Sequence, residues 1–257
     1  PDNINFFLGQ IDYKNKRYDE ALLHYQRIQQ GTFVNVKTLN VSKALLKKYN
    51  LEKALSHIDK EIKIKNQDNL LNSLSLKLSI FEEIGESADI IRLSSQILES
   101  FPNNERALYS RALAYEKEGN ILSMSKDFDE MIKLNKYNSI ALNAYGYSLA
   151  LHKLHLDKSE KLIRKALEIR PGEAAILDSL AWVLYLKGSY KEAAKYSSLA
   201  YSKDQDPEII EHHYLILLKN GNSNEAKSIL DQSIKNNPNS EKLLKLLDSS
   251  ENAAIKL

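Results

Sequence analysis

A helical pattern returns along the 257-residue chain at a nearly constant interval. One residue near the start of the second helical segment of each unit serves as its marker. Successive markers are 33, 36, 34, 35, 33 and 33 residues apart. The seven markers are Ala21, Ala54, Ile90, Met124, Ser159, Ala193 and Ala226. This period predicts a stack of like units, because a unit of this size has an apolar face that it cannot bury alone.

Each unit carries the pattern of two helices joined by a turn. Apolar residues recur at i, i+3, i+4 and i+7, and a small residue precedes the marker by 12 or 13 positions in several units. Glycine precedes the second helix and proline follows it, as helix ends favour. The small residues are Gly9, Ala112, Gly146 and Ala181; the glycines are Gly85, Gly119, Gly188 and Gly221; the prolines are Pro102, Pro171 and Pro238.

The pattern resembles the tetratricopeptide repeat family. Its characteristic residues recur in the fourth unit as Leu108, Ala112, Tyr115, Gly119 and Phe128, and in the sixth as Leu177, Leu180, Ala181, Leu184, Ala193 and Ala200. The resemblance implies an all-α superhelical solenoid of about seven helix–turn–helix repeats with a carboxyl-terminal capping helix. One solenoid is expected over 1–257, with approximate repeats at 1–31, 32–66, 67–103, 104–137, 138–172, 173–206 and 207–239 and a cap at 240–257.

Composition and motifs argue against catalytic activity and against metal or cofactor binding. The chain has no cysteine, which excludes disulfides and thiolate zinc sites, and its net charge of +2 gives no reason to expect nucleic acid as a partner. No phosphate-binding glycine loop or serine nucleophile motif is present. His152 and His155 are expected in an exposed turn, while the adjacent His212 and His213 point to different helix faces and cannot chelate together. We therefore expect no catalytic residue, no cofactor and no metal.

In tetratricopeptide folds the first helix of each pair lines a concave groove. The resemblance thus places one stripe of these helices in the groove, where aromatic rings bury apolar side chains of a peptide and polar groups bind its backbone. The predicted contacts are Tyr109, Asn143, Tyr147, Asp178, Trp182, Tyr185 and Leu215. The alternative is that Trp182 and Tyr147 fill gaps between successive helices, and one ring can do both.

Two segments resemble a narrower group, the bacterial outer-membrane tetratricopeptide lipoproteins. They are residues 1–28 and 141–201, which include LDSLAWVLYLKG. Some members of this group are adaptors that deliver peptidoglycan hydrolases to a carboxyl-terminal processing protease. The resemblance implies a periplasmic scaffold held at the outer membrane by a lipid anchor ahead of Pro1, and a protease or hydrolase as the partner.

The expected function is therefore a protein-binding adaptor in the bacterial cell envelope. Two alternatives stay open from the sequence. One is a self-assembling structural protein in which the divergent amino-terminal units pair two chains as a homodimer. The other is a cytoplasmic peptide binder similar to a co-chaperone, although the stripe lacks the lysine–asparagine pair that grips a terminal carboxylate in such proteins.

Overall fold

The computed structural model describes residues 2–29 and 34–254, and every regular element in those residues is an α-helix. This confirms the expected all-α class. The described residues form 15 helices: α1 (Asp2–Lys14), α2 (Tyr18–Gln26), α3 (Val34–Lys48), α4 (Leu51–Glu61), α5 (Gln67–Ile84), α6 (Ser87–Ser100), α7 (Glu105–Lys117), α8 (Ile121–Leu134), α9 (Ser139–Leu151), α10 (Leu156–Ile169), α11 (Ala174–Leu186), α12 (Tyr190–Lys203), α13 (Pro207–Lys219), α14 (Ser223–Asn236) and α15 (Glu241–Ala254).

The helices form antiparallel pairs that stack on one another within two compact units, residues 1–127 and 128–257. Each unit has its own buried core. The predicted repeat boundaries stay a prediction, and residues 255–257 of the predicted cap lie outside the described residues.

Local sequence explains where the helices begin and end. Asn104 and Asn138 precede α7 and α9, and each side chain accepts a hydrogen bond from the backbone N–H three residues later, at 2.9 and 3.0 Å. Glycines end helices in the left-handed region, as at Gly85 with φ of 83°. His152 and His155 lie in the exposed turn between α9 and α10, as predicted.

Close helix crossings explain the small residues. A Cβ placed on Gly9 would come within 3.0 Å of ring atoms of the buried Tyr25, so α1 and α2 meet at that point with no room for a side chain. At Gly146 a Cβ would lie 2.6 Å from Cγ1 of Ile163 and 2.9 Å from the backbone oxygen of Ser159. The hydroxyl of Ser159 donates a 2.6 Å hydrogen bond to the Gly146 carbonyl and joins α9 to α10.

The first unit also contains a polar link between three helices. Arg111 of α7 donates two hydrogen bonds to the Asp127 carboxylate, at 2.7 and 2.8 Å, and a third to Ser95 of α6 at 3.0 Å. A bidentate guanidinium–carboxylate contact sets the orientation of both groups. It holds α7 against α6 and the beginning of α8.

Candidate functional site

Helix α11 divides its residues between the core of the second unit and a partly open side. Ile176, Leu180 and Leu184 are buried in a cluster with residues of the preceding helices α9 and α10. This arrangement leaves Asp178 and Trp182 on the side that meets α13. The helical period of 3.6 residues thus separates the face of α11 that packs on α9 and α10 from the face that meets α13.

A buried polar pair lies between α11 and α13. Nδ1 of His212 is 2.7 Å from Oδ2 of Asp178, and both residues are at most 5 % exposed. Burial raises the pKa of the Asp178 carboxyl; the contact with His212 opposes this rise, whereas the charges of Glu208 and Asp206 add to it. The second carboxylate oxygen, Oδ1, is enclosed and has no hydrogen-bond partner among the described residues. The pair is therefore a polar centre inside otherwise apolar packing.

Aromatic rings lie against this polar pair. The ring of Trp182 stacks on His212 with centroids 4.1 Å apart and an interplanar angle of 14°. Tyr185 stacks on Trp182 at 5.0 Å and 13°. Trp182 and Tyr185 are both partly exposed. Trp182 therefore packs against neighbouring helices and also presents part of its ring at the surface, so both functions considered for it from sequence are compatible with its position.

Carboxylates border the aromatic rings. The Tyr147 hydroxyl of α9 donates a 2.5 Å hydrogen bond to Oε1 of Glu208 in α13. Burial, and then the bond to Glu208, raise the pKa of Tyr147. Glu211, on the same helix, is 2.9 Å from Nζ of Lys242 in α15. We call the group Tyr147, Trp182, Tyr185, Glu208 and His212 the Trp182 surface.

The other predicted contacts lie outside this group. Asn143 stands one turn before Tyr147 in α9, and its Oδ1 is enclosed. Leu215 packs with a cluster of α13, α14 and α15 that includes Ile210 and Leu230, rather than with Trp182. The structure thus brings together four residues of the predicted stripe, Tyr147, Asp178, Trp182 and Tyr185, with His212 and Glu208 of α13.

Tyr109 belongs to the first unit, where it borders a pocket of about 340 Å³ together with Ile90 and Leu113. The exposed lining is mostly apolar, and Glu82 and Lys117 are its charged members. Burial, with a smaller contribution from Glu116, raises the pKa of Tyr109. The predicted stripe of α7 therefore lies beside a real depression of apolar character.

Sequence reasoning missed His212 and Glu208. From sequence, His212 is considered only as a metal ligand. It nevertheless stands 34 positions after Asp178, and this spacing equals the repeat period. That spacing was the available signal, since residues one period apart lie on neighbouring equivalent helices. The opposite orientation of His213 was predicted correctly: Nδ1 of His213 is 2.9 Å from Oγ of Ser197 in α12.

The described residues contain neither a metal site nor a membrane-spanning helix. No group of three or more histidine, aspartate or glutamate side chains is placed to hold a metal ion there. Among the described helices, none combines the length and apolar character that crossing a bilayer requires.

Comparison with known proteins bears on the fold. The profile described as "Tetratricopeptide repeat" matches residues 215–240. A crystal structure of a tetratricopeptide repeat protein from Parabacteroides merdae superposes with a TM-score of 0.67 at 16 % identity, covering 96 % of this chain and 97 % of that one. The chain has the tetratricopeptide repeat fold.

Two further proteins are similar to differing extents. PilW, described as a widely conserved type IV pilus biogenesis factor, superposes with a TM-score of 0.66 at 16 % identity over 84 % of this chain and 100 % of its own. At such identities the likeness concerns the fold alone. A TPR repeat-containing protein of Pseudomonas aeruginosa is 26 % identical over 211 residues, which are 82 % of this chain and 36 % of the relative. The chain thus spans about a third of the curated relative that it matches.

Proposed function

We propose that this chain is a non-enzymatic scaffold that binds a partner protein through the Trp182 surface. The observation that carries the proposal is the partly exposed Trp182 stacked on His212, which Asp178 holds from inside the core. A ring whose orientation is set before binding loses little conformational entropy when a partner covers it. Tryptophan and tyrosine are also the side chains most enriched among residues that dominate binding energy.

The surface suits a peptide segment with both apolar and hydrogen-bonding groups. The rings of Trp182 and Tyr185 offer apolar area, and Glu208 and the Tyr147 hydroxyl offer polar atoms beside it. Asn143, Asp178 and Leu215 remain proposed contributors within the second unit, where Asp178 contributes by holding His212 rather than by direct contact. Tyr109 remains a separate proposed contact in the first unit.

We also propose a location and a partner class. The envelope-type segments 1–28 and 141–201 support a periplasmic adaptor at the outer membrane. Its partner is then a carboxyl-terminal processing protease or a peptidoglycan hydrolase. A cytoplasmic peptide binder is the competing assignment.

Site-specific crosslinking tests the proposal, because the chain contains no cysteine and any introduced one is unique. Tyr185→Cys places a photo-crosslinker on the Trp182 surface. Tyr137→Cys is the control, since that side chain is 62 % exposed in the turn between α8 and α9. In envelope extract we expect Tyr185→Cys, and not Tyr137→Cys, to capture a protease or a wall hydrolase. Capture of cytoplasmic chaperones alone contradicts both the location and the adaptor function.

Affinity for the captured partner then tests the surface itself. We expect Trp182→Ala and Tyr147→Ala each to weaken binding by roughly 10- to 100-fold, the range of interface hot spots. The helical circular dichroism of both variants should match that of the parent chain. Loss of the helical signal would instead assign these rings to the core.

A further inference from the structure

The first helix presents an apolar face that is about half exposed. Ile4, Phe7, Leu8 and Ile11 follow the spacing i, i+3, i+4, i+7 and therefore share one side of α1. They are 52 %, 58 %, 39 % and 51 % exposed. Isolated exposed apolar residues are common on protein surfaces, but four large ones in a single stripe mark a surface that another element covers.

The same helix positions are buried in α11 and α13. Gly9, Ala181 and Tyr214 each stand 12 residues before the marker of their unit, so they define a common register for α1, α11 and α13. In that register the counterparts of the four exposed residues are Ile176, Ser179, Leu180 and Val183 in α11, and Ile209, His212, His213 and Ile216 in α13. All eight are at most 6 % exposed.

Preceding helices bury these positions. Ile176, Leu180 and Val183 belong to one cluster with Ile163 of α10 and Leu142 of α9. In α13, His213 contacts α12 through its hydrogen bond with Ser197 and its ring contact with Tyr201. The register thus identifies this side of a first helix as the side on which the preceding helix pair packs.

The composition of α1 is that of an internal repeat. A terminal repeat of a solenoid needs a polar outer face for solubility. Helix α15, at the other end of the described residues, exposes the charged Glu241, Lys245 and Asp248. All four stripe positions of α1 are instead large and apolar, and the charged Lys14 lies only at the end of the stripe.

We propose that the apolar face of α1 is the seat of a further tetratricopeptide helix pair that precedes α1 in the same polypeptide. The pair packs on Ile4, Phe7, Leu8 and Ile11 as α9 and α10 pack on α11. Its contacting side chains are aliphatic or small, like Leu142, Ala150 and Ala166 in the equivalent cluster. A relative more than twice as long, of which this chain spans 36 %, agrees with a stack of more repeats.

Cysteine labelling tests this proposal on the chain and on the polypeptide as its gene encodes it. Ile11→Cys reports on the stripe, and Ile64→Cys is a matched control because Ile64 is 58 % exposed in the connection between α4 and α5. With a maleimide reagent, both cysteines should react quickly in residues 1–257. In the encoded polypeptide we expect Ile11→Cys to react at least about tenfold more slowly, as for a group reached only by local opening, while Ile64→Cys keeps its rate.

Three results overturn the proposal. The first is an equal rate for Ile11→Cys in both polypeptides. The second is slow labelling of Ile11→Cys in residues 1–257 that becomes fast on dilution, which identifies a second copy as the occupant. The third is a gene that encodes no helix pair ahead of Pro1. Circular dichroism of each variant confirms that the labelled chains are folded.

Discussion

Helices α7 and α11 present the same repeat positions with different chemistry. Three residues before the small residue of the helix, α7 has Tyr109 where α11 has Asp178. Tyr109 is partly exposed beside a mostly apolar pocket, whereas Asp178 is buried in contact with His212. One position after the small residue, Leu113 stands in place of Trp182. A shared backbone register therefore does not give a shared surface, because the neighbouring helices decide what each side chain meets.

Among the substitutions that test this comparison, Asp178→Ala is expected to lower the free energy of unfolding the most. The change leaves His212 buried without the carboxylate that it contacts, so we expect the free energy of unfolding to fall by about 3 kcal/mol. Urea unfolding followed by circular dichroism measures the loss. Asp178→Asn keeps an oxygen toward His212 and should cost less, and Tyr109→Phe at the matched position of α7 should cost under about 1.5 kcal/mol. Equal losses for Asp178→Ala and Tyr109→Phe would remove the distinction between the two helices.

The next largest loss of stability is expected at the position that follows the small residue, which is Trp182 in α11 and Leu113 in α7. Trp182→Ala removes a large ring that packs on the core cluster and on His212, and we expect a loss of about 2 kcal/mol because the ring is only partly buried. Leu113→Ala in α7 should cost about 1 kcal/mol, since fewer atoms are removed. Both values come from the same urea titration. A larger loss for Leu113→Ala than for Trp182→Ala contradicts the assigned packing.

A smaller effect is expected from Tyr147→Phe. It removes only the hydroxyl that donates to Glu208 at 2.5 Å, and such a bond contributes about 1 kcal/mol. Tyr185→Phe is the control, because its hydroxyl takes part in none of the hydrogen bonds described above. If Tyr147→Phe and Tyr185→Phe have the same stability, the contact with Glu208 does not hold α9 to α13.

The smallest effect is a dependence on pH that both units share. Burial lowers the pKa of His213 in the second unit and of His57 in the first, so folding favours the neutral ring in each. Their contribution to stability is complete above pH of about 6.5, the ordinary histidine pKa, and is lost as pH falls toward the lowered values. Thermal unfolding between pH 7 and 5 should show this decline, and His213→Gln should make it shallower. An unchanged slope in His213→Gln would show that His213 does not carry the effect.

Sequence sufficed for the features that depend on local pattern. The 34-residue period, the small residues at Gly9 and Gly146 and the helix-ending Gly85 follow from which side chains a close crossing or a left-handed turn admits. The exposed turn at His152 was likewise predictable from one extra residue between two helices. These features need no knowledge of what lies across a helix interface.

The composition of the candidate site could be predicted only in part. The resemblance, together with helical spacing, predicts that Tyr147 and Trp182 share one stripe, and their contact with a partner stays a prediction. Leu215 shares the register of Trp182 but packs among α13, α14 and α15, since α15 supplies Leu243 and Leu246 to the same cluster. Register alone does not reveal such a neighbour.

The sequence by itself determined an all-α chain of paired helices, the side of each helix that faces its partner, and an aromatic stripe centred on Trp182. Only the tertiary structure decided that Asp178 is buried against His212, that Tyr147 binds Glu208, and that the apolar stripe of α1 stays about half exposed. The physical reason is that spacing along a helix sets the direction of a side chain. Burial and hydrogen bonding depend on residues that the fold brings in from elsewhere in the chain.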